Sequence, residues 1–379
     1  MNKKILPALG LLLLLAGILS GCSSSSIRAT NWTDLTVDNG VVYAADLQHV
    51  VALNAETGEQ IWIYPRDGES LREIFYNVAL FDGTVLAVSF EPGGGLPPRP
   101  PNGVLRALSA ADGQTVWADR VARSGDFAAA GAASDGLLVI GNSNGQVYAF
   151  RTQTGAEAWS FTTGGRVWAS PLILDSAVYV ASLDHKLYAI DLQTGQQRWV
   201  FQADGAILAP PLALDGRLYI GAFDNRVYAL HQEDGTPAWP APFEGEGWFW
   251  AQPSTDGTTI YAADVNGVVY ALDAESGAPR WEVPARLEEP VRLKPLLSAD
   301  NSFLLVGSDL GTLFALDAAD GHLLWSIQGG GKQGQLASLV IHDDVVYLTR
   351  LYSEHSVEAL RVSREGGETL WQYPPVQSE

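Results

Sequence analysis

Cysteine is almost missing from this chain of 379 residues: there is one, Cys22. No disulfide can form within the chain, so its stability rests on packing. Charge is sparse and unbalanced, with 23 Lys and Arg against 43 Asp and Glu and a formal net charge of −20. A surface this acidic repels phosphate backbones and anionic headgroups, which argues against a nucleic-acid partner. Catalytic signatures are also lacking. There is no Gly-x-Ser-x-Gly and no phosphate-cradling glycine loop. The six histidines (His49, His185, His231, His322, His342 and His355) fall in or beside turns of six different segments. None makes a metal-ligand pair by spacing, so no metal site is expected. Turns such as Asp264-Val-Asn-Gly267 lack the remaining ligands of a calcium loop. Past the N-terminus no long apolar pattern of 3.6-residue period occurs, which excludes a helical fold.

What is present is a repeat. Eight times a glycine is followed four residues later by a tryptophan: Gly58 and Trp62, Gly113 and Trp117, Gly155 and Trp159, Gly195 and Trp199, Gly235 and Trp239, Gly277 and Trp281, Gly321 and Trp325, Gly367 and Trp371. An alanine stands six residues before the first seven glycines, from Ala52 to Ala315, and the eighth, Ala359, is displaced by two. Self-similarity at this period marks an array of supersecondary units. Within one unit, Trp168 to Phe201, four short β-branched and aromatic runs are separated by Asp175-Ser176, Leu183-Asp-His185 and Thr194-Gly195. This reads as a four-stranded meander. The runs are apolar on both faces, as in Val269-Tyr-Ala-Leu272, so both faces of each sheet should be covered. Proline recurs early in the first run, at Pro171, Pro211, Pro253 and Pro295, as suits an edge strand at the axis of a ring.

The expectation is an all-β, eight-bladed propeller of four-stranded antiparallel blades over residues 32–379. The eight tryptophans, Trp62 to Trp371, are its structural girders, each placed on a fourth strand. The last blade carries Trp371 near the C-terminus, so the ring should close without a strand borrowed from the N-terminus.

Residues 1–21 have the form of a secretory signal: Lys3-Lys4, an apolar stretch from Ile5 to Ile18, then Leu19-Ser-Gly-Cys22. The Leu-x-Gly-Cys ending resembles a bacterial lipobox, which would make Cys22 an acylated first residue. Residues 22–31 then form a short polar tether. Ser23, where an aspartate would signal inner-membrane retention, favours the periplasmic side of the outer membrane in a two-membrane host. In a one-membrane host the protein would face outward from the cytoplasmic membrane.

Departures from the repeat point to a functional rim. Loops between second and third strands share one face of a propeller with the blade-to-blade connections. Onto that face map the Pro/Gly arm 91–103 with Arg99, the segment Trp248-Phe249-Trp250, and Lys332 with Tyr352 and His355 around the last blade. Exposed aromatics and irregular loops mark binding surfaces. Trp250 also aligns with Trp168 and Trp32, which allows plain first-strand packing.

The unit Ala-Leu-Asp-Ala-x-Ser-Gly-x-x-x-Trp, from Ala271 to Trp281, resembles the tryptophan-docking repeat of quinoprotein-type (PQQ-like) propellers. Two classes share it. Pyrroloquinoline-quinone dehydrogenases are larger, carry calcium and clamp the cofactor with a disulfide between adjacent cysteines. That pair is missing here, so PQQ and calcium are not expected. The other class is the BamB-like family of outer-membrane protein assembly lipoproteins, similar in lipobox, tether and blade number. That resemblance implies a non-catalytic scaffold binding envelope proteins, a β-barrel assembly protein among them. The family's partner-binding loop, rich in Leu and Arg, is not visible in this chain. A PQQ-dependent quinoprotein and a carbohydrate-binding surface propeller remain as alternatives.

Overall fold

The computed structural model describes residues 35–374 except 67, 70, 95–100, 118–119, 128, 329–333, 352 and 354–355. Among these residues the chain forms 32 strands and no helix. They group into eight four-stranded sheets, each made of consecutive strands in simple up-and-down order. The sheets span residues 35–64, 74–124, 132–162, 172–202, 212–244, 254–286, 296–328 and 335–373, here blades one to eight. First strands of neighbouring blades touch, which places them at the axis. The expected ring is therefore observed, and Pro171, Pro211, Pro253 and Pro295 each stand immediately before a first strand.

Local chemistry sets the turns. Between first and second strands, Asn39-Gly40, Asp82-Gly83, Asp135-Gly136 and Asp215-Gly216 hold positive φ at both residues. That is the tight hairpin turn whose twist suits paired strands. Second and third strands are buried on both faces, as expected; the neighbours Val178 and Tyr179, which point to opposite faces, are 0% and 2% exposed. The fourth strand differs. In blade three, Glu157–Thr162 alternates between exposed and buried positions because it forms the outer edge of the sheet. In blades five and six it shrinks to Phe243–Glu244 and Ala285–Arg286. Pro240, Pro242 and Pro284 stand just ahead of these pairs and cannot donate to a ladder.

The apolar core lies between blades. Eight clusters of buried side chains each join two neighbours; one runs from Val42 and Leu53 of blade one to Val357 and Trp371 of blade eight. Each repeated tryptophan reaches into the next blade and donates its indole N–H to a backbone carbonyl there. Trp62 of blade one bonds Ala110 of blade two at 2.9 Å, and its ring packs on Tyr43. Around the ring, Trp117 bonds Thr152 at 2.7 Å, Trp159 bonds Leu192 at 2.8 Å and Trp199 bonds Gln232 at 3.2 Å. Trp239 bonds Ala274 at 3.0 Å and Trp281 bonds Ala318 at 3.1 Å. Trp371 completes the circle by bonding Ala55 of blade one at 2.9 Å. Blade eight ends in its own fourth strand, Gly367–Tyr373. Among the described residues no strand is exchanged at the closure, as the order of the repeats predicts.

One part of the expectation needs correcting. Trp62, Trp159, Trp199, Trp325 and Trp371 lie within fourth strands, but Trp117, Trp239 and Trp281 precede theirs. The prolines after Trp239 and Trp281 keep the chain off the ladder until the indole has already been placed. The docking contact therefore does not depend on a complete fourth strand.

The alanine of the repeat is now explained. Ala52 pairs across the ladder with Trp62, and Ala149, Ala189, Ala315 and Ala359 pair likewise with the tryptophans of their own fourth strands. A larger side chain would push the indole off its neighbour. Ala359 keeps that pairing, and its displacement in sequence reflects a hairpin whose strands, Val357–Val362 and Gly367–Tyr373, run further before they turn.

The glycine of the repeat is fixed twice over, as Gly277 shows. Its φ is +77°, and a Cβ there would lie 2.7 Å from Trp239 of the preceding blade. Gly216 shares the φ, at +72°, but faces open space. Gly277→Ala is expected to cost roughly 2–4 kcal/mol, backbone strain plus overpacking. Gly216→Ala should cost only the strain, about 1–2 kcal/mol. Urea denaturation of the two variants measures the difference, and equal losses would refute the docking role of Gly277. Gly367 is the exception: a Cβ there would meet Ile327 at 2.8 Å instead of the preceding tryptophan.

Candidate functional site

Four residues before the first strand of blades four to seven stand Trp168, Leu208, Trp250 and Arg292. With their successors they line a cavity of about 340 Å³ at the axis. Ala129 and Ala130 of the connection into blade three, Asn77 of blade two and Gln335–Leu339 of blade eight complete the lining. Seven blades thus contribute to one concave site, on the face that carries the connections between blades and the hairpin loops between second and third strands.

Those loops are stapled to the connections by a recurring carboxylate. Asp184 accepts the backbone N–H of Gly164 at 2.7 Å and the hydroxyl of Tyr188 at 2.5 Å. Asp264, wholly buried, accepts the N–H groups of Asn266 and Val268 and the hydroxyl of Tyr270, and that hydroxyl in turn accepts the N–H of Glu246 in the connection at 2.9 Å. The Asp264 turn is thereby a satisfied hairpin. Burial, and then the neighbouring carboxylate, pushes the Tyr188 hydroxyl well above its ordinary range; Tyr228, beside Asp224, rises to about 12. These phenols remain protonated donors. In blade seven Glu289 takes the role, accepting Ser308 Oγ at 2.5 Å and Thr312 Oγ1 at 3.1 Å.

An aromatic ladder climbs from the cavity to the surface. Arg292 lies over the Trp250 ring at 5.0 Å. Trp250 packs against Phe223 at 5.3 Å, and Phe223 stacks flat on Trp248 at 5.0 Å and 10°. Trp248 is 50% exposed. Two blades away, Arg166 covers the Trp168 ring at 5.6 Å. Arg292 also pairs with Asp309 at 2.9 Å. Burial raises the Asp309 carboxyl, and the Arg292 charge offsets part of the rise. Lys294 has its pKa lowered by burial.

Of the rim residues named from the sequence, Trp248 and Trp250 come together here. Phe249 does not. It is 1% exposed, turned inward against Gly221 and Tyr270, because three successive extended residues alternate in direction. The repeated tryptophans stand apart from the site altogether. Trp62 is buried at 7% exposure among Tyr43, Ala52 and Leu108 between blades one and two, where no ligand reaches it. Trp281 is buried in the same way between blades six and seven. Arg99, Lys332, Tyr352, His355 and the lipidation candidate Cys22 lie outside the described residues. Phe223, Arg166, Arg292, Lys294 and Asp309 are site residues that reading each segment alone misses. Aligning the units on the residue four before the first strand would have exposed Arg292 and Lys294. Asp317, Asp320 and His322 group closely enough to face a metal ion. Asp317, however, is taken by Arg364 and the N–H of Ala319, and His322 by Asp320 at 2.6 Å.

The sequence pattern of the family described as "Outer membrane protein assembly factor BamB" matches residues 24–96, 101–218, 175–247 and 224–378. The chain belongs to that family. A curated BamB-family relative, an outer membrane protein assembly factor BamB of Yersinia pestis, is 32% identical over 120 residues. That stretch is 31% of this chain and spans only 29% of the relative. Among solved structures, BamB from Moraxella catarrhalis superposes with a TM-score of 0.66 at 18% identity, covering 91% of this chain and 95% of that one. The computationally designed Ika8 protein gives 0.68 at 15% identity, covering 87% and 95%. At such identities the two structures share the fold of this chain and nothing finer. Among the described residues no helix is long and apolar enough to cross a membrane.

Proposed function

We propose that this BamB-family propeller is a non-catalytic scaffold, lipid-anchored through Cys22 at the periplasmic side of an outer membrane. Its loop face binds another envelope protein that takes part in the assembly of β-barrel outer membrane proteins. Membership of the family supports the assembly role, and the lipobox-like Leu19-Ser-Gly-Cys22 supports the anchor. The observation that carries the binding face is the ladder Arg292–Trp250–Phe223–Trp248, with half of Trp248 presented to solvent. Exposed tryptophan and arginine over a packed support are the residues on which protein interfaces concentrate their energy.

The test is a pull-down of the tagged lipoprotein from its native membranes after light crosslinking. A co-purified barrel protein with periplasmic domains supports the reading, and a clean preparation with no protein partner overturns it. Trp248→Ala should then weaken capture by about 30-fold, the effect of an interface hot spot near 2 kcal/mol. The same substitution should leave folding stability within about 0.5 kcal/mol, as for a surface position. Unchanged capture would remove the ladder from the interface.

A further inference from the structure

The axial cavity carries a positive charge that the rest of the molecule does not explain. In the four aligned connections, the residue two after Trp168, Leu208, Trp250 and Arg292 is Ser170, Pro210, Gln252 and Lys294. Three blades place a neutral residue there and blade seven places an ammonium. Lys294 is one of two lysines among the described residues of a chain whose net charge is −20. It lines the cavity beside Gln252, Gln335, Ser338 and Asn77. Asp309, the one acidic residue of the lining, is already paired with Arg292. No carboxylate among the described residues lies within ion-pair distance of Lys294, and it makes no hydrogen bond there.

The surroundings are polar on one side and apolar on the other. Trp168, Leu208, Trp250, Leu293 and Leu336 supply apolar wall. Lys294 is open to the solvent filling the cavity, yet protein crowds it closely enough that burial lowers its pKa. A cation held this way gains from an incoming anion, because pairing restores what desolvation removed. At about 340 Å³ the cavity is at the small end of ligand sites and takes one apolar side chain with its charged group.

We propose that the axial cavity is a binding site for a carboxylate on a short apolar stem, with Lys294 as the residue that pairs with the carboxylate. Trp250 and Trp168 face the stem. The same chemistry is offered by a free small acid and by the C-terminus of a peptide. The cavity shares Trp250 and Arg292 with the face proposed above, but its test uses the propeller alone, so failure here and failure of the partner reading are separate results.

Calorimetric titration of the purified full chain decides it, with four probes: N-acetyl-leucine, N-acetyl-leucine amide, and a leucine-terminated hexapeptide with a free or an amidated end. The acid is expected to bind roughly 10- to 100-fold more tightly than its amide, as for a charge-assisted contact in a partly dry site. Lys294→Gln should abolish that preference, and Lys294→Arg should keep most of it. Binding of the free-ended peptide identifies a chain terminus as the occupant; binding of N-acetyl-leucine alone identifies a small acid. Lys294→Gln removes no hydrogen bond, so an unchanged thermal midpoint is expected and separates lost binding from lost folding. Equal affinity for acid and amide, no binding of either, or an undiminished preference in Lys294→Gln overturns the proposal.

Discussion

Arg350→Met is expected to destabilise the propeller by about 3–5 kcal/mol, the loss that follows when one partner of a buried ion pair is removed. Arg350 is in the second strand of blade eight, its side chain 2% exposed, with Nε 3.0 Å from Glu358, itself 9% exposed. Its Nη1 donates to the carbonyl of Gly311 at 2.9 Å and to that of Gly334 at 3.2 Å. One guanidinium thus joins blade eight to the hairpin of blade seven and to the start of its own first strand. Methionine fills much of the volume but leaves the Glu358 carboxylate and two carbonyls without these donors. The double variant Arg350→Met/Glu358→Leu should recover a large share of the loss, because no charge is then buried alone. Urea denaturation of both variants checks this. A single variant within about 1 kcal/mol of the parent would show that water reaches Glu358 and that the pair is peripheral.

Trp117→Ala should be comparably damaging, at about 3–5 kcal/mol. Trp117 is 2% exposed and belongs to the cluster that joins blades two and three. Its ring faces Gly155 of the next blade and its N–H bonds Thr152. Burying such a ring removes roughly 150–250 Å² from water, about 4–6 kcal/mol as an upper bound at 25 cal/mol per Å². The truncation also strands the Thr152 carbonyl. Trp325→Ala should cost less, because that ring is only partly buried, with its N–H on Ser363 at an exposed position. Denaturant midpoints for the two variants give the order, and equal losses would mean that burial does not rank these eight positions.

The girders are legible in the sequence because each depends on one unit of it. Glycine, alanine and tryptophan recur together since a single hairpin demands all three: a positive φ, a small partner across the ladder and a ring for the next blade. Trp62 shows the whole set, with Gly58 at φ +72° in its own hairpin, Ala52 opposite it and the next unit's glycine, Gly113, against its ring. The proposed binding face is only partly legible. Trp248 stands out by its place in an irregular loop. Phe249 looks like its neighbour in sequence until the alternation of an extended chain separates them. Phe223, Arg166, Arg292 and Lys294 come from three further segments of chain, and only the closed ring brings them to one axis. Charge behaves the same way. The composition shows an acidic molecule, while the cavity concentrates Arg292 and Lys294 against the single Asp309.

Closure without strand exchange has a consequence for ancestry. The joint between blades eight and one is made by Trp371 and Tyr347 on the Ala55 carbonyl and by the Tyr373 hydroxyl on Gln60. The indole half of that joint is repeated at every other boundary. Each blade is consequently a complete heritable module, and duplicating one stretch of codons adds a whole blade without rewriting either neighbour. Residues particular to one module, such as Arg292 and Lys294 of blade seven, can then equip the shared centre while the other modules keep the ring intact.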